Sequence, residues 1–483
     1  MTRNKYLFLI VTMLFSLLSC QKESLNNLAS LNVYPDSIVS DVSNHPIGIN
    51  LNYFMDGDYY EHTERSMVEA LSDMGVKYLR YPGGEKSDVY MFSSPPYGKS
   101  EPTASRTIGI EAYTGMLSEE GELLYDPLDF DEFMQICDSV GAEPIIVVAA
   151  DRYLLPPEKG KRSAKREKLI EHATEWVRYA NIKKGYNIRY WMIGNESWHK
   201  NNINSTADIY AQDVIDFSKA MKAVDPSILV IPNGEKEEFF ETVITKAGDH
   251  IDGLCVSNYG VFDFVDGYET YKDSTKCLIW PAQTALNALN KYANKEQLER
   301  WKMIVAEYGT IDWFGLWKAT NDMGHAIVTF DMTGQLLMQP QIDFMCFWNT
   351  RWINNATDNP YTDHDALDRE GNLTPTGQAM KIWGNYLGKQ MIKSQSSSDF
   401  IVTYSSLDKD QNKLFVYAIN KGSEDVDIKL NIKNHELKSL PHGWEYYGKT
   451  SDDIAPVWKK KQTEGERISL KAYSITVLEY IIS

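Results

Sequence analysis

The sequence has little cysteine. Five occur in 483 residues, and none stands in CxxC or other ligand-like spacing, so neither a zinc ribbon nor a dithiol redox centre is written into it. Of Cys137, Cys255, Cys277 and Cys346, three fall inside apolar helix or strand patterns and are expected as buried thiols. A glycine-rich phosphate cradle is also missing: Gly83-Gly84 is a turn and not a GxGxxG, so neither a nucleotide cofactor nor a metal is expected. Positive charge is short, with 49 Lys and Arg against 67 Asp and Glu and a net charge of −18. Such a surface argues against nucleic acid and anionic membranes as partners and says little against a neutral glycan.

The longest apolar run near the start, Tyr6 to Leu18, is too short to span a bilayer comfortably. Preceded by Arg3 and Lys5, it reads as a targeting leader over residues 1–19, and its removal would bring the charge near −20. Leu17-Leu18-Ser19-Cys20 resembles the bacterial lipoprotein cleavage box. That resemblance implies cleavage before Cys20, lipid on its thiol and anchoring to the cell envelope, at the outer membrane given Gln21 in place of Asp. An ordinary secretory signal is the alternative. Residues 21–27 then form a polar tether.

What is present is aromatic residues and a repeated alternation. Aromatics make up 12% of the chain, which fits rings stacking on sugar faces and equally fits a large core. Apolar runs at 46–53, 76–81, 145–150, 188–193, 228–231, 251–259, 301–309 and 342–348 alternate with helical patterns at 63–74, 129–140, from after Lys168 to about Lys183, 206–223, 281–294, 320–337 and 374–387. Eight such units predict a (β/α)8 TIM barrel over residues 46–390. From 391 the texture changes to period-two runs with polar turns, predicting a C-terminal antiparallel β-sandwich to 483. Residues 20–45 supply the tether and an N-terminal strand, Leu28 to Val39, that joins this sandwich. The stretch 85–127 is long and rich in Pro and Gly. Tyr90, Phe92, Tyr97 and Tyr113 are candidates there for a substrate wall. The basic run Lys159 to Lys168 reads as a solvated loop, with an anion-binding role as the alternative.

The chain is organised around Ile188 to Trp198. A buried strand ends at Gly194, and Asn195 and Glu196 follow where a barrel presents its active face. Trp191 and Trp198 flank this carboxylate and would raise its pKa by desolvation, keeping it protonated long enough to donate. A glutamate that only caps the next helix is the alternative. Strand seven repeats the pattern: Trp301 to Ala306 is apolar, then come Glu307 and Tyr308. Two carboxylates across a barrel mouth are the equipment of glycoside hydrolysis.

Asn195-Glu196 on strand four with Glu307 on strand seven resembles the clan A retaining (β/α)8 glycosidases. Within that clan, Leu79 to Gly84, Asp131-Glu132-Phe133, Gly141 to Pro144, Trp176 to Asn181 and Tyr190 to Glu196 are similar to family 51 α-L-arabinofuranosidases. The runs Tyr210-Ala211 through Ala220-Met221 and Val224-Asp225-Pro226 extend the likeness, which covers about residues 46–235. It implies Glu196 as acid/base and Glu307 as nucleophile. Departures fall on the sugar-holding positions: Asn52 stands where that family has a strand-one Glu, and Glu85 where it has Asn. Ser257-Asn258-Tyr259 replaces its His-x-Tyr, and Ala306-Glu307-Tyr308 its Asp-Glu-Trp. Phe347 to Trp352 and Asn372 to Gly377 look more like family 86 agarases and porphyranases, which implies a β-linked galactan cut internally.

Chemistry assigns expected roles to the neighbours. Asn195 would hydrogen-bond the hydroxyl beside the anomeric carbon, Arg80 would pair with Glu307, and Tyr259 would orient Glu307 through its hydroxyl. Trp348 would floor the subsite by stacking. For Arg80 a purely structural ion pair, and for Trp348 simple core packing, are the alternatives. The expected partner is a plant or algal polysaccharide or oligosaccharide. A non-catalytic glycan-binding surface lipoprotein on the same fold, or a structural one, are the competing readings.

Overall fold

In a computed structural model the chain is described at residues 28–54, 56, 64–105, 126–150, 165–199, 206–351, 365–461, 463 and 467–482. The leader, Cys20, the tether, Tyr113 and the basic run up to residue 164 lie outside those residues.

The described residues open with β1 (Ala29–Asp41) and then enter the barrel. Its strands are β2 (Ile47–Asn50), β3 (Tyr78–Tyr81), β6 (Glu143–Val148), β7 (Tyr190–Ile193), β8 (Leu229–Gly234), β9 (Gly253–Asn258), β10 (Lys302–Tyr308) and β11 (Ile342–Phe347). A two-stranded ribbon, β4 (Tyr90–Met91) with β5 (Thr103–Ala104), lies between β3 and β6. The eight strands close in sequence order, each parallel to its neighbour, with β11 returning to β2. This is the (β/α)8 barrel that the alternation predicts.

Two apolar layers hold it. Inside the barrel pack Tyr78, Ile145, Val147, Tyr190, Met192, Ile231, Ile304 and Phe344, with Tyr78 stacked on Phe344 at 4.1 Å. The opposite faces of the same strands, including Trp191, Ile193 and Val305, pack outward against the helices. Period-two side-chain direction explains why each strand reads as continuously apolar: both faces are buried.

Helix starts are fixed by side-chain caps. Ser66, Asp129, Thr206 and Thr374 each accept from a backbone N–H one turn on, so the helices begin one residue later, at Met67, Phe130, Ala207 and Pro375. The first helix is therefore shorter than its sequence pattern, because Ser66 and Glu69 form a reciprocal capping box that halts it there. A helix at Glu237–Ala247, buried through Phe240, Val243 and Ile244, also belongs to the barrel and is absent from the pattern reading.

The second domain is one curled nine-stranded sheet in the order β17-β16-β19-β14-β13-β12-β1-β15-β18. Its strands are β12 (Gln390–Ser396), β13 (Ile401–Asp408), β14 (Lys413–Asn420), β15 (Val426–Ile432), β16 (His442–Tyr447), β17 (Val457–Lys461), β18 (Arg467–Leu470) and β19 (Ser474–Ile481). The curl encloses a core of Leu31, Val33, Leu414, Val416, Ile428, Leu470 and Leu478, which makes it a sandwich. It is not wholly antiparallel. β1 pairs antiparallel with β12 but parallel with β15, since it reaches the sheet from the other end of the chain. The outer faces of β13 and β14 dock on the barrel: Trp383 lies 4.3 Å from Tyr417, and the Tyr404 hydroxyl donates to Asp331 on the helix Met323–Leu337.

The described part of the segment after β3, residues 84–105, packs more closely than its composition suggests. Tyr90 and Phe92 are fully buried. The two hydroxyls of Tyr81 and Tyr90 meet at 2.7 Å, and Phe92 stacks on Trp176 at 5.3 Å. These two rings are core and not a substrate wall.

Candidate active site

The mouth of the barrel is built around Arg80, the third residue of β3, which points inward and is 2% exposed. Its Nη1 lies 2.9 Å from Glu307 Oε1 and 2.8 Å from Asn50 Oδ1, and its Nη2 lies 2.7 Å from Asn195 Oδ1. One guanidinium thus joins β2, β3, β10 and the end of β7. Asn50 in turn donates to the carbonyls of Ala306 and Phe347 at 3.0 and 3.1 Å. The second carboxylate oxygen of Glu307, Oε2, accepts from the Tyr259 hydroxyl at 2.7 Å. Both oxygens of a side chain with only 6% exposure are therefore met by donors, a pairing that satisfies the carboxylate form.

Glu196 is in a different environment. Its pKa is pushed up to about 8, first by desolvation and then by the facing charge of Glu307, with a Ser257 hydrogen bond and the Arg80 charge opposing. The two carboxylates are thus close enough to interact. The backbone at Glu196 is held at φ 44, a left-handed conformation that costs a non-glycine residue about 1–3 kcal/mol. Asn233 at the end of β8 braces this turn. Its Oδ1 accepts from Ser197 N at 2.8 Å, and its Nδ2 donates to Ile193 O at 3.1 Å.

Desolvation of Glu196 does not come from Trp191. That ring faces the helices, edge-on to Trp176 at 6.0 Å, with its indole N–H on Ile188 O. Strand alternation puts Met192 inward and Trp191 outward.

The other expected residues separate. Glu85 is half-buried at the mouth, and its charge raises the pKa of both Glu196 and Lys86. Asn52 is fully buried in the turn after β2, with Oδ1 on Phe54 N at 3.1 Å and its own N–H on Asp56 at 2.7 Å. It shapes the loop and presents no surface to a sugar. Trp348 is 3% exposed and packs with Tyr259 and Ile311. It also lies against Gly84, where a Cβ would fall 2.2 Å from Cη2. The open stacking floor expected of Trp348 is instead a packed wall, and glycine at 84, with φ +47, is what lets the ring lie there.

Sequence reasoning missed Asn50, Lys86, Asn233 and Ser257. Asn50 and Asn233 were marked by a polar residue at the end of an apolar run. Lys86 carries no such signal, yet it is 1% exposed, lies 5.6 Å from the centre of the Trp348 ring, and has its pKa lowered to about 7 by burial. No cluster of three metal-ligating side chains occurs among the described residues.

Barrel and carboxylate pair together define a site of the two-carboxylate (β/α)8 type. Comparison with known proteins narrows the likeness. The family model described as "Alpha-L-arabinofuranosidase 1 domain" matches residues 70–276, a span that includes Arg80, Asn195, Glu196 and Tyr259 but stops short of Glu307. A probable α-L-arabinofuranosidase C of Aspergillus niger is 25% identical over 187 residues, 35% of this chain and 32% of that protein. An intracellular exo-α-(1→5)-L-arabinofuranosidase of Acetivibrio thermocellus is 23% identical over 216 residues, 40% of this chain and 38% of that protein. The chain thus spans about a third of the length of the curated relatives it matches. In fold the likeness is nearly complete. The α-L-arabinofuranosidase of Thermotoga maritima superposes with a TM-score of 0.69 at 19% identity, over 93% of this chain and 99% of that one. A bifunctional glucanase-xylanase, CelM2, from a metagenome library gives 0.60 at 13%, over 95% and 100%.

Removing one side of a buried ion pair leaves the other uncompensated. Arg80→Met is expected to destabilise the protein by about 3–5 kcal/mol in denaturant unfolding. A loss under about 1 kcal/mol, the size of a surface pair, would contradict the buried web described above.

Proposed function

We propose that this protein is a retaining glycoside hydrolase of α-L-arabinofuranosidase type, acting on a plant polysaccharide or its oligosaccharides. The observation that carries the reading is the asymmetry of the carboxylate pair. Glu307 is held by a guanidinium and a phenol, whereas the pKa of Glu196 is raised by desolvation and by Glu307 itself. Such a split suits double displacement. Glu307 attacks the anomeric carbon while Glu196, protonated, gives its proton to the leaving oxygen. A glycosyl ester on Glu307 results. Glu196, now ionised, takes a proton from water as that water displaces Glu307, and both groups return to their starting states.

Neighbouring residues serve these steps. Arg80 and Tyr259 aim the nucleophile and stabilise its charge on release. Asn195, its oxygen held by Arg80, is assigned the sugar hydroxyl beside the reacting carbon as its hydrogen-bond partner in the complex. The matched family span and the arabinofuranosidase relatives support arabinofuranose as the glycone. The galactanase reading rests on the short runs Phe347 to Trp352 and Asn372 to Gly377, and no comparison favours it. The non-catalytic alternative has no use for two carboxylates so differently held. An envelope location, through lipid on Cys20, is proposed from the leader alone.

Four outcomes test this reading. Glu307→Gln is expected to lose turnover on aryl arabinofuranosides by several orders of magnitude in a protein that still folds, with a lowered unfolding midpoint because Arg80 loses its counter-charge. Activity near the parent level would remove Glu307 from the nucleophile role. Because the acid form of Glu196 is present only below its raised pKa, kcat/KM on natural glycosides should fall as pH rises through about 8. Glu196→Ala should lose that limb and lose far more activity on natural substrates than on aryl glycosides with good leaving groups; equal losses on both would count against the acid/base role. Cys20→Ala should abolish incorporation of labelled palmitate in cells, and continued incorporation would place the lipid elsewhere.

A further inference from the structure

The loop after β10 exposes aromatic surface beside the carboxylate pair. Trp313 is 51% exposed, Phe314 71% and Leu316 44%. Across from them, Trp280 is 46% exposed. Three large apolar side chains within four residues are costly on a free surface and mark a place where something binds.

The loop is held in shape. Ile311 is buried against Tyr259 and Trp348. Asp312 caps the turn with its own side chain: Oδ1 accepts from Phe314 N at 2.9 Å, and Oδ2 from Trp317 N at 2.7 Å. Gly315, with φ 68, closes the turn onto Asp312 O at 3.0 Å. At the far end Trp317 is stacked on His325 at 4.0 Å and lies against Gly267, where a Cβ would come within 2.7 Å of the ring. Both ends are anchored, and the rings between them are displayed.

The display leads to the reacting centre. Trp313 stands edge-on to Tyr259 at 5.7 Å, and the Tyr259 hydroxyl bonds Glu307. Phe314 meets Phe262 at 5.2 Å, and Phe262 meets Trp280 at 6.5 Å. The rings thus run outward from the nucleophile as a continuous apolar platform. The neighbouring charges are mostly acidic: Glu85 and Glu307 at the mouth, the latter paired with Arg80, and Asp263 and Asp266 after Phe262, with Lys276 paired to Asp263 at 2.6 Å. On a chain of net charge −18 this disfavours an anionic occupant. A neutral polymer with apolar C–H faces fits.

We propose that the Trp313–Phe314 tip, with Phe262 and Trp280 beside it, is an accessory subsite that stacks further sugar rings of an uncharged polysaccharide whose scissile bond lies at Glu196 and Glu307. The proposal rests on the glycoside hydrolase reading for its purpose but not for its test.

Binding is measured first, without turnover. In the Glu307→Gln background, electrophoresis through gels containing arabinan or arabinoxylan should retard the protein, and gels containing polygalacturonate should not. Adding Trp313→Ala with Phe314→Ala should abolish retardation, whereas Trp313→Phe, which keeps a ring, should preserve most of it. Phe314→Ala alone, at a side chain in open solvent, keeps the test available if the double variant fails to fold. Equal retardation of the tip variants, or no retardation of the parent by either neutral polymer, overturns the subsite. In the active background, the ratio of kcat/KM on polymer to that on an aryl arabinofuranoside should fall about tenfold in the tip variants, chiefly through KM. Turnover with an unchanged ratio sinks the subsite and leaves the glycosidase reading standing. Tip-dependent retardation with no turnover on any glycoside does the reverse.

Discussion

Arg80 brings a permanent charge into a barrel where it is 2% exposed, and the rest of the mouth is arranged around compensating it. A guanidinium at that depth costs several kcal/mol to desolvate unless its donors are met. Here they are met by Glu307, Asn50 and Asn195, each from a different strand. The same contacts that neutralise the charge fix the nucleophile candidate, orient the amide beside Glu196 and tie strand one to strands seven and eight. Stability and chemistry therefore draw on one set of bonds. The closed barrel makes this possible, because closure is what brings the ends of distant strands within reach of a single side chain.

The two carboxylates differ because their surroundings differ. Glu307 sits among donors. Glu196 sits on a strained turn with one hydroxyl, from Ser257, and a like charge opposite. The family 51 resemblance implies Glu196 as acid/base and Glu307 as nucleophile, whereas positions 52, 85, 257, 306 and 308 depart from it. Of these, Asn52 is withdrawn into a turn, and Ser257 has become a partner of Glu196. At positions 52 and 257, where the resemblance implies sugar-holding side chains, this chain thus carries side chains that bond to protein groups.

Much of this was legible in the sequence, for a physical reason. Strands buried on both faces read as unbroken apolar runs, and all eight appear as such. The carboxylates were legible because each interrupts such a run at its end. The Arg80–Glu307 pair was legible because a lone arginine inside an apolar strand needs an acidic partner. What was not legible depends on tertiary direction. Trp191 and Trp348 are tryptophans beside a site, but one points to the helices and the other lies under Gly84. Tyr90 and Phe92 sit in a stretch whose composition reads as loop, yet they close the core over Trp176. In the second domain, β12, β16, β17 and β18 escaped notice. β17, with three consecutive lysines, is an edge strand whose side chains alternate neither in polarity nor in burial. The parallel pairing of β1 with β15 is a long-range contact that no local pattern encodes.

The proposed double displacement requires a covalent bond between Glu307 and the sugar. It is tested most directly by incubating the protein with 2-deoxy-2-fluoro glycosyl donors of arabinofuranosyl and galactopyranosyl configuration, followed by proteolysis and mass mapping. The account predicts one adduct, on the peptide carrying Glu307, formed with the arabinofuranosyl donor and absent from Glu307→Gln. An adduct on another residue, or none with either donor, would contradict it.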